Sequence, residues 1–180
     1  MDTKHLNDII ELCKRGEKQG REELFQLYSP KMLAICYRYV GSQDAEDVMI
    51  DGFIRVYENI NSYTPNNFSA WIARIMTNTC LAFLKKETKF NLLNTDYYNA
   101  QEQDMEIDNP IRFTKQDLLN AITSLPNSYR TIFNLSVVDG YTHDEICEIL
   151  HIEKQTVKTA LYRAKLRLKD YLLQLEQNKR

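Results

Sequence analysis

Basic and hydrogen-bonding side chains cluster near the end of the 180-residue sequence. Lys158, Thr159, Tyr162 and Arg163 fall on the front of a predicted helix whose back is apolar. The apolar back recurs at helical spacing and consists of Val157, Leu161, Ala164, Leu168 and Leu172. The front also carries Lys154, Gln155, Lys165, Arg167 and Lys169. A helix that is basic and hydrogen-bonding on one side has the chemistry needed to read base edges in the DNA major groove.

The segment just before this helix has the signals of a partner helix that would position it. Thr142 and Glu145 have the T-x-x-E spacing of a capping box, which predicts a helix start. The inward-facing positions of that helix are Ile146, Ile149 and Leu150. A turn predicted at His151 and Ile152 separates the two helices, so the whole segment is predicted to be a helix-turn-helix.

Metal and enzyme chemistry are weaker interpretations of this sequence. His143, Cys147 and His151 stand four residues apart on one helix face and could share a zinc ion. We favour the alternative, with Cys147 in a small core position and both histidines toward solvent, because structural zinc takes four ligands and no fourth is evident. The sequence has no nucleophile elbow, P-loop, zinc signature or nucleotide fingerprint, so we expect neither an enzyme nor a cofactor.

The composition is 43% hydrophobic and 27% charged with only five Gly and four Pro, which predicts a soluble, mostly helical protein. No apolar run approaches the length of a membrane span, and the N-terminus lacks the apolar stretch of a signal peptide. We therefore expect a cytoplasmic location without stable membrane insertion. The four cysteines are far apart in the sequence and would remain thiols there.

The formal net charge is −2, which is unusual for a protein that binds DNA. The charge is unevenly spread, with eight basic and three acidic residues between 150 and 180, but one basic and five acidic residues between 91 and 112. Because nonspecific affinity comes from neutralised phosphates, we expect the chain alone to bind DNA weakly. Either dimerisation or another molecule is then needed to bring it to DNA.

Apolar periodicity predicts helices over most of residues 6–89. We expect a break at Ser29-Pro30, a helix end at Gly41 and a loop from Asn61 to Asn67. Trp71 could stack on a nucleobase, but it falls in an apolar stripe, so core packing is the favoured interpretation.

The sequence resembles bacterial RNA polymerase sigma factors of the extracytoplasmic-function type (ECF, group IV) over nearly its whole length. In the first part the resemblance rests on D-A-E-D-V at 44–48, F-I-R-V-Y at 53–57, F-S-A-W-I at 68–72 and R-I-M-T-N at 74–78. In the last part it rests on Leu125-Pro126, Arg130, Phe133, Gly140-Tyr141, Glu145-Ile146, Thr156-Val157-Lys158 and Arg163-Ala164. Each motif is weak alone, whereas their order and spacing together are specific to this family.

Three positions depart from the family pattern. Ile50-Asp51-Gly52 stands where Gln-Glu-Thr or similar is usual, and a glycine inside a helix costs about 1 kcal/mol against Ala. We therefore expect a close helix or partner contact at Gly52. His151 stands where the turn usually has Gly, so it must adopt a left-handed conformation or reshape the turn. Glu153 replaces the usual Ser cap of the last helix, where its charge suits the helix dipole.

The resemblance implies an all-α fold with two small helical domains joined by a flexible acidic linker. Residues 1–90 would be the sigma region 2 bundle, residues 91–112 the linker, and residues 113–180 the sigma region 4 helix-turn-helix. The residues support the linker independently, because 91–109 has little periodicity and many acids and amides.

The function implied by the resemblance is that of an alternative sigma factor, which binds core RNA polymerase and directs promoter-specific transcription initiation. The implied partners are the clamp helices and flap of the polymerase, promoter DNA and an anti-sigma factor. Binding of the clamp helices is implied for Asp44, Glu46, Asp47, Asp51 and Arg55. Recognition of the −10 element is implied for Asn66, Asn67, Asn78, Lys85 and Lys86. Recognition of the −35 element is implied for Lys158, Thr159, Tyr162 and Arg163, and contact with the flap for Arg130 and Phe133.

Structural alternatives exist for these roles, since the acids also stabilise a helix N-terminus and the basic front could simply be solvated. The alternative function is a stand-alone helix-turn-helix transcriptional regulator. That alternative leaves the motifs of the first part unexplained.

Overall fold

The computed structural model describes residues 3–64, 66–86 and 113–178, which form two compact units. We call residues 3–86 unit 1 and residues 113–178 unit 2. The linker predicted at 91–112 lies outside the described residues. All regular elements within the described residues are helices, which confirms the prediction of an all-α fold.

Unit 1 contains four α-helices around one apolar core. They are α1 (Thr3–Lys14), α2 (Lys18–Val40), α3 (Ala45–Asn59) and α4 (Phe68–Lys86), with a 3₁₀ turn at Ile60–Ser62 after α3. Helix α2 packs against each of the other three, and α3 also packs against α4. The core contains fully buried Leu24, Met32, Tyr39, Val48, Val56, Ile60, Ile72, Met76 and Leu84.

Two glycines let the helices of unit 1 approach one another closely. A Cβ atom at Gly52 would lie 2.2 Å from the Met76 sulfur, so the close contact predicted there is confirmed and involves α4. A Cβ atom at Gly20 would lie 2.5 Å from the Leu12 Cβ and 2.8 Å from the Cys13 backbone nitrogen. The packing of α1 on α2 therefore depends on the missing side chain of Gly20.

The break predicted at Ser29-Pro30 is wrong, because α2 continues through Pro30 as one helix. A proline inside a helix removes one backbone hydrogen bond and costs about 3 kcal/mol. Tyr28 and Met32, on either side of Pro30, are both buried, and Tyr28 packs edge-on against Phe68 of α4 at 5.4 Å. This tertiary packing offsets the local cost. Gly41 ends α2 with a φ of 85°, as predicted.

Unit 2 is built around one long helix. Its elements are α5 (Lys115–Ser124), α6 (Asn127–Phe133), a π-helical segment (Asn134–Val138), α7 (His143–Leu150) and α8 (Lys154–Asn178). Helices α5, α6 and α7 all pack against α8. The five predicted back positions of α8 are all buried, which confirms that face of the helix.

The local signals of the helix-turn-helix are confirmed. The Thr142 side chain accepts a hydrogen bond from the Glu145 amide, and the Glu145 carboxylate accepts one from the Thr142 amide. His151 ends α7 in the left-handed conformation, with φ 55° and ψ 49°. The turn between α7 and α8 thus keeps its geometry without the usual glycine.

Candidate nucleic-acid interface and docking face

The front of α8 is only partly as predicted. Lys158, Tyr162 and Arg163 are half-buried. Thr159 is only 6% exposed, so its predicted place on the open front is wrong. Its neighbour Ala160 is also buried, because α8 is covered by three helices and its buried face is wider than the apolar stripe alone indicates.

Arg163 lies at the border between the buried and open sides of α8. Its Nη1 donates a hydrogen bond of 3.3 Å to the hydroxyl oxygen of Tyr129 on α6. The guanidinium of Arg167, one turn further along α8, lies over the Tyr129 ring at 5.7 Å from the centroid. Tyr129 itself is only 4% exposed. A buried aromatic side chain of α6 therefore contacts two cations of the predicted DNA-reading helix.

An ion pair spans the helix-turn-helix. The Lys154 Nζ at the start of α8 lies 2.8 Å from a carboxylate oxygen of Asp144 in the first turn of α7. The hydrogen bond from Lys154 lowers the pKa of the Asp144 carboxyl, and the same bond raises the pKa of Lys154. Both groups are fully exposed, so water and salt screen their attraction.

Helix α4 carries the residues predicted for the −10 element along its length. Asn66 and Asn67 are exposed just before the helix, Asn78 is exposed at its middle, and Lys85 and Lys86 are exposed in its last turn. Asn67 also has a structural task, since its side-chain oxygen accepts a 3.1 Å hydrogen bond from the Ala70 amide. It is therefore a side-chain cap of α4.

Arg74, which was not predicted as a site residue, is exposed on α4 one turn before Asn78. Residues 67, 74, 78 and 85 follow one another at helical spacing, so Arg74 adds a cation within this polar stripe. The signal was present in the R-I-M-T-N motif, whose arginine occupies a position that the apolar stripe of α4 does not use.

Trp71 is half-buried, so it is neither a core residue nor a freely exposed ring. Its ring packs against Tyr63 at 5.3 Å and against Phe68 at 5.4 Å. Tyr63 is buried and its hydroxyl accepts a hydrogen bond from the Asn66 amide at 3.1 Å. The aromatic cluster of Tyr63, Phe68 and Trp71 thereby holds the loop in front of α4 and leaves one part of the indole accessible.

The exposed face of α3 combines acids with apolar side chains. Of the residues predicted to bind polymerase, Glu46, Asp47, Asp51 and Arg55 are exposed, and Asp44 at the helix start is half-buried. Between them lie Ile50 and Ile54, each 50% exposed. These two isoleucines, spaced four residues apart, were missed as site residues. Their positions outside the buried stripe of α3 were the available signal.

A cleft of about 620 Å³ separates α3 from α4 and brings two predicted sets of residues together. Asp51 and Arg55 of the predicted polymerase-binding set line one wall. Asn78, from the predicted −10 set, and Trp71 line the other. The two functions predicted for unit 1 therefore meet at one concave surface.

The predicted contact of Arg130 with the flap is contradicted by its burial, since Arg130 is only 7% exposed. Its guanidinium donates one hydrogen bond to the Thr123 carbonyl at 3.1 Å and another to the Asn127 side-chain oxygen. Burial lowers the pKa of Arg130. Arg130 thus joins the end of α5 to the start of α6. Phe133, predicted with it, is half-buried, and the next turn exposes Val137 and Val138 at 51% and 44%.

The potential metal ligands and nucleophiles of the described chain are not arranged as reactive sites. Among residues 3–64, 66–86 and 113–178, no group of three or more His, Cys, Asp or Glu side chains is placed to hold a metal ion. Burial raises the pKa of the Cys13 thiol to about 11, and a hydrogen bond between the Cys80 thiol and Cys36, together with burial, raises the pKa of Cys80. These thiols are therefore neutral and poorly nucleophilic at neutral pH.

None of the helices within the described parts of the chain is both long enough and apolar enough to cross a membrane.

Two family models match the chain in the order of its two units. The model described as "Sigma-70 region 2" matches residues 24–90, and the model described as "Sigma-70, region 4" matches residues 115–168. The first match contains α3 and α4 with their candidate residues. The second contains the helix-turn-helix.

Similar proteins agree with these matches. The ECF RNA polymerase sigma factor SigW of Bacillus subtilis is 30% identical, with 92% of this chain and 96% of the relative covered. The ECF RNA polymerase sigma factor SigE of Mycolicibacterium smegmatis is 30% identical over 84% of this chain, which spans 61% of that relative. The sigma factor RpoE of Bartonella quintana, solved with the anti-sigma factor NepR, has a TM-score of 0.51 at 20% identity, covering 84% of this chain and 95% of that one.

The structural match to RpoE shows a shared fold, and the near-complete alignment with SigW extends the relationship to the whole sequence. The chain belongs to the extracytoplasmic-function sigma factors, the alternative sigma factors that direct transcription initiation.

Proposed function

We propose that the chain binds core RNA polymerase through the exposed face of α3 and selects promoters through α4 and α8. It acts in the cytoplasm as an initiation factor and catalyses no reaction itself. The observation that carries this proposal is the pairing of two unlike faces in one chain. Helix α3 of unit 1 presents acids around two exposed isoleucines, whereas α8 of unit 2 presents cations around an aromatic ring.

The face of α3 has the composition of a protein-docking surface. Ile50 and Ile54 are each half-exposed, so a partner that covers them removes apolar area from water. Covering the remaining exposed half of both side chains is worth about 2 kcal/mol at the usual hydrophobic coefficient. Glu46 and Asp47 attract a basic partner and set its orientation. Clamp helices that offer apolar side chains among basic ones would fit this face.

The DNA contacts divide between the two units. Lys158, Tyr162 and Arg163 would read the −35 element in the major groove, and Thr159 is left out because it is buried. The polar stripe of α4 would hold the opened −10 element, with Arg74, Lys85 and Lys86 near phosphates and the accessible part of Trp71 available for a base.

The polymerase explains how a chain with net charge −2 can use these contacts. Each unit alone neutralises few phosphates and binds DNA weakly. When polymerase holds both units, the second contact becomes intramolecular and gains effective concentration. The proposed domains are region 2 at 1–90, a linker at 91–112 and region 4 at 113–180.

Two further partners complete the proposal. Phe133, Val137 and Val138 form an apolar group on successive turns of unit 2, and this group would replace Arg130 as the site that meets the polymerase flap. An anti-sigma factor would hold the chain away from polymerase; the structural neighbour RpoE was solved in complex with the anti-sigma factor NepR.

Transcription with purified components tests the proposal. The chain should co-purify with core polymerase from the bacterium that encodes it and should produce start sites on genomic DNA that core alone does not produce. Ile54→Lys should weaken core binding roughly tenfold, because it places a charge in the apolar contact. Ala34→Lys, on the exposed side of α2, is the matched control and should bind normally. Failure to co-purify together with no new start sites would overturn the proposal.

Promoter recognition by α8 is tested separately. Arg163→Ala should weaken promoter occupancy by the polymerase complex by about 1–3 kcal/mol and relax preference within the −35 element if Arg163 reads a base. If it contacts only phosphate, occupancy should fall evenly across sequences and the slope of affinity against salt should decrease by roughly one unit. Normal occupancy at every promoter would remove Arg163 from the interface.

A further inference from the structure

Tyr129 contacts two arginines of α8 through two different parts of its side chain. Its hydroxyl oxygen accepts a hydrogen bond from Arg163 Nη1 at 3.3 Å. Its ring face lies beneath the Arg167 guanidinium at 5.7 Å. Tyr129 comes from α6, the helix that packs against α8, and is only 4% exposed. The buried phenol of Tyr129 therefore contacts both guanidinium groups and is itself held in place by the packing of α6 on α8, so we call it a fixed support for the two cations.

A fixed support matters because arginine side chains are flexible. Ordering an arginine on binding costs side-chain entropy, and a base contact needs the guanidinium in one defined plane. A side chain that is already ordered before binding avoids part of this cost. The hydrogen bond to Tyr129 uses one of the five donors of the Arg163 guanidinium.

The two arginines occupy different positions along the recognition helix. Arg163 is nearer the N-terminal part of α8, which contacts base edges in helix-turn-helix complexes. Arg167 follows one turn later and is exposed. The hydroxyl of Tyr129 thus supports the cation closer to the bases, and the ring supports the cation closer to the helix's far end.

We propose that Tyr129 is a positioning residue for promoter recognition, with its hydroxyl orienting Arg163 and its ring orienting Arg167 toward the −35 element. This inference rests on the proposed function, because it requires that Arg163 contacts DNA. It adds a residue that never touches DNA to the group that determines −35 preference.

A double-mutant cycle with the assembled polymerase complex tests the inference. Tyr129→Phe removes only the hydroxyl, so the ring remains beneath Arg167. Four complexes are compared: the unchanged chain, Tyr129→Phe, Arg163→Ala and the double variant. The measurement is the ratio of occupancies on a promoter and on the same promoter with an altered −35 element. The loss of one hydrogen bond that orders Arg163 should lower this ratio about three- to tenfold in Tyr129→Phe.

The expected signature is coupling. In the Arg163→Ala background, Tyr129→Phe should have no further effect on the ratio, because the hydroxyl acts through Arg163. Equal effects in both backgrounds would overturn the inference, since the hydroxyl would then act by another route. An unchanged ratio in Tyr129→Phe with a reduced ratio in Arg163→Ala would also overturn it while leaving the proposed role of Arg163 intact. An unchanged ratio in Arg163→Ala with evenly lowered occupancy would limit Arg163 to phosphate contact and would overturn the inference. No effect of Arg163→Ala on the ratio or on occupancy would instead refute the proposed function of Arg163.

Tyr171→Phe is the matched control, because it removes the same atom from a half-buried tyrosine on α8. It should leave the −35 ratio unchanged. Hydrogen exchange of the α6 and α8 amides separates positioning from folding. Equal protection in Tyr129→Phe and the unchanged chain, together with the lowered ratio, is the expected result. A matching loss of protection would mean that the hydroxyl only stabilises unit 2.

Discussion

The two units bury different kinds of side chain. In the described part of unit 1, the buried polar residues are Thr77 and Thr79, and the rest of the core is apolar or glycine. Unit 2 is smaller, yet it buries Ser128, Arg130, Thr131, Asn134 and Thr159. Unit 1 should therefore be most sensitive to changes of volume, and unit 2 to changes that break buried hydrogen bonds.

This difference accompanies a difference in helix length, because each unit has four α-helices within its described residues but α5, α6 and α7 are short. Four long helices in unit 1 supply enough apolar area to enclose a core, and glycines bring them together. In unit 2, α5 and α6 are short, so a large share of their backbone carbonyls lies in terminal turns without an intrahelical donor. Arg130 satisfies one of them at Thr123. A further polar contact lies at the edge of this core, where the Tyr129 hydroxyl accepts a hydrogen bond from Arg163 of α8.

The largest expected effect is in unit 1. Gly20→Ala places a methyl group 2.8 Å from the Cys13 backbone nitrogen and 2.9 Å from the Leu12 carbonyl carbon, and backbone atoms cannot rotate away. We expect a loss of about 3 kcal/mol in the free energy of unfolding, the upper range for overpacking. Fluorescence of Trp71, the single tryptophan of the sequence, reports unit 1 during urea unfolding.

Gly52→Ala is the matched control for Gly20→Ala. Its methyl group would meet the thioether of Met76, which is flexible, so the loss should be smaller. In an uncrowded helix, Gly→Ala stabilises by about 1 kcal/mol. A stabilised Gly20→Ala protein would show that α1 and α2 do not approach as closely as the structure has them.

The second effect is in unit 2. Arg130→Ala removes the donor of two hydrogen bonds, one to the Thr123 carbonyl and one to the Asn127 side-chain oxygen. An unsatisfied buried acceptor costs about 1–3 kcal/mol, so we expect unit 2 to lose about 2 kcal/mol. Hydrogen exchange of α5 and α6 should accelerate, whereas the Trp71 transition should not move. Lys165→Ala, an exposed change on α8, is the control. If hydrogen exchange is unchanged in Arg130→Ala, the core of unit 2 does not depend on this buried hydrogen bonding, and the proposed difference between the two cores is wrong.

The third effect lies at the start of α4, where one side chain has two candidate tasks. Asn67→Ala removes the cap on the Ala70 amide and should destabilise unit 1 by about 1 kcal/mol. Asn67→Ser retains a capping oxygen but lacks the amide. If Asn67 reads a base, −10 preference should change in both variants while the Trp71 transition moves only in the first. If Asn67→Ser has both the −10 preference and the Trp71 unfolding transition of the unchanged chain, Asn67 is only a cap.

Local signals in the sequence were sufficient for much of the fold. The capping box at Thr142 and the close contact at Gly52 each follow from a rule about one residue and its immediate neighbours. The left-handed conformation of His151 was one of two outcomes implied by the family pattern. The continuation of α2 through Pro30 could not be predicted in this way. It depends on tertiary packing around Tyr28 and Met32, which outweighs the local cost of a proline.

Local sequence rules are limited in the same way for the candidate sites, because they do not give tertiary burial. The basic front of α8 was predictable because helical spacing separates it from the apolar back. The burial of Thr159 and Arg130 was not, since it depends on how many helices cover each residue. Ile50 and Ile54 fall outside the apolar stripe of α3, so the sequence contained a signal for them. Single apolar residues on polar faces are common, however, and only the structure shows that these two are each half-exposed on the same helix.

The smallest expected effect tests whether the polar character of unit 2 matters at its surface as well as in its core. The pKa of Asp144 is lowered in the folded protein, so its ion pair with Lys154 contributes stability above the unfolded carboxyl pKa of about 3.9. This contribution is lost as pH falls through the folded pKa. The pKa of Lys154 is raised, so its contribution is present below the unfolded value of about 10.4 and is lost as pH rises through the folded pKa. Both contributions are therefore present between about pH 5 and 9.

Because both groups are fully exposed, Asp144→Asn should change the protection of α7 and α8 amides at pH 7 only slightly. The change should vanish in 1 M salt, where the screening length is about 3 Å. Glu11→Gln, which removes the exposed ion pair with Lys14 in α1, is the matched control in unit 1 and should have a similarly small effect. A loss of protection in Asp144→Asn as large as that in Arg130→Ala would contradict the prediction. It would mean that unit 2 depends on polar contacts at its surface as much as on those in its core. The exposed ion pair between Asp144 and Lys154 would then stabilise the turn of the helix-turn-helix.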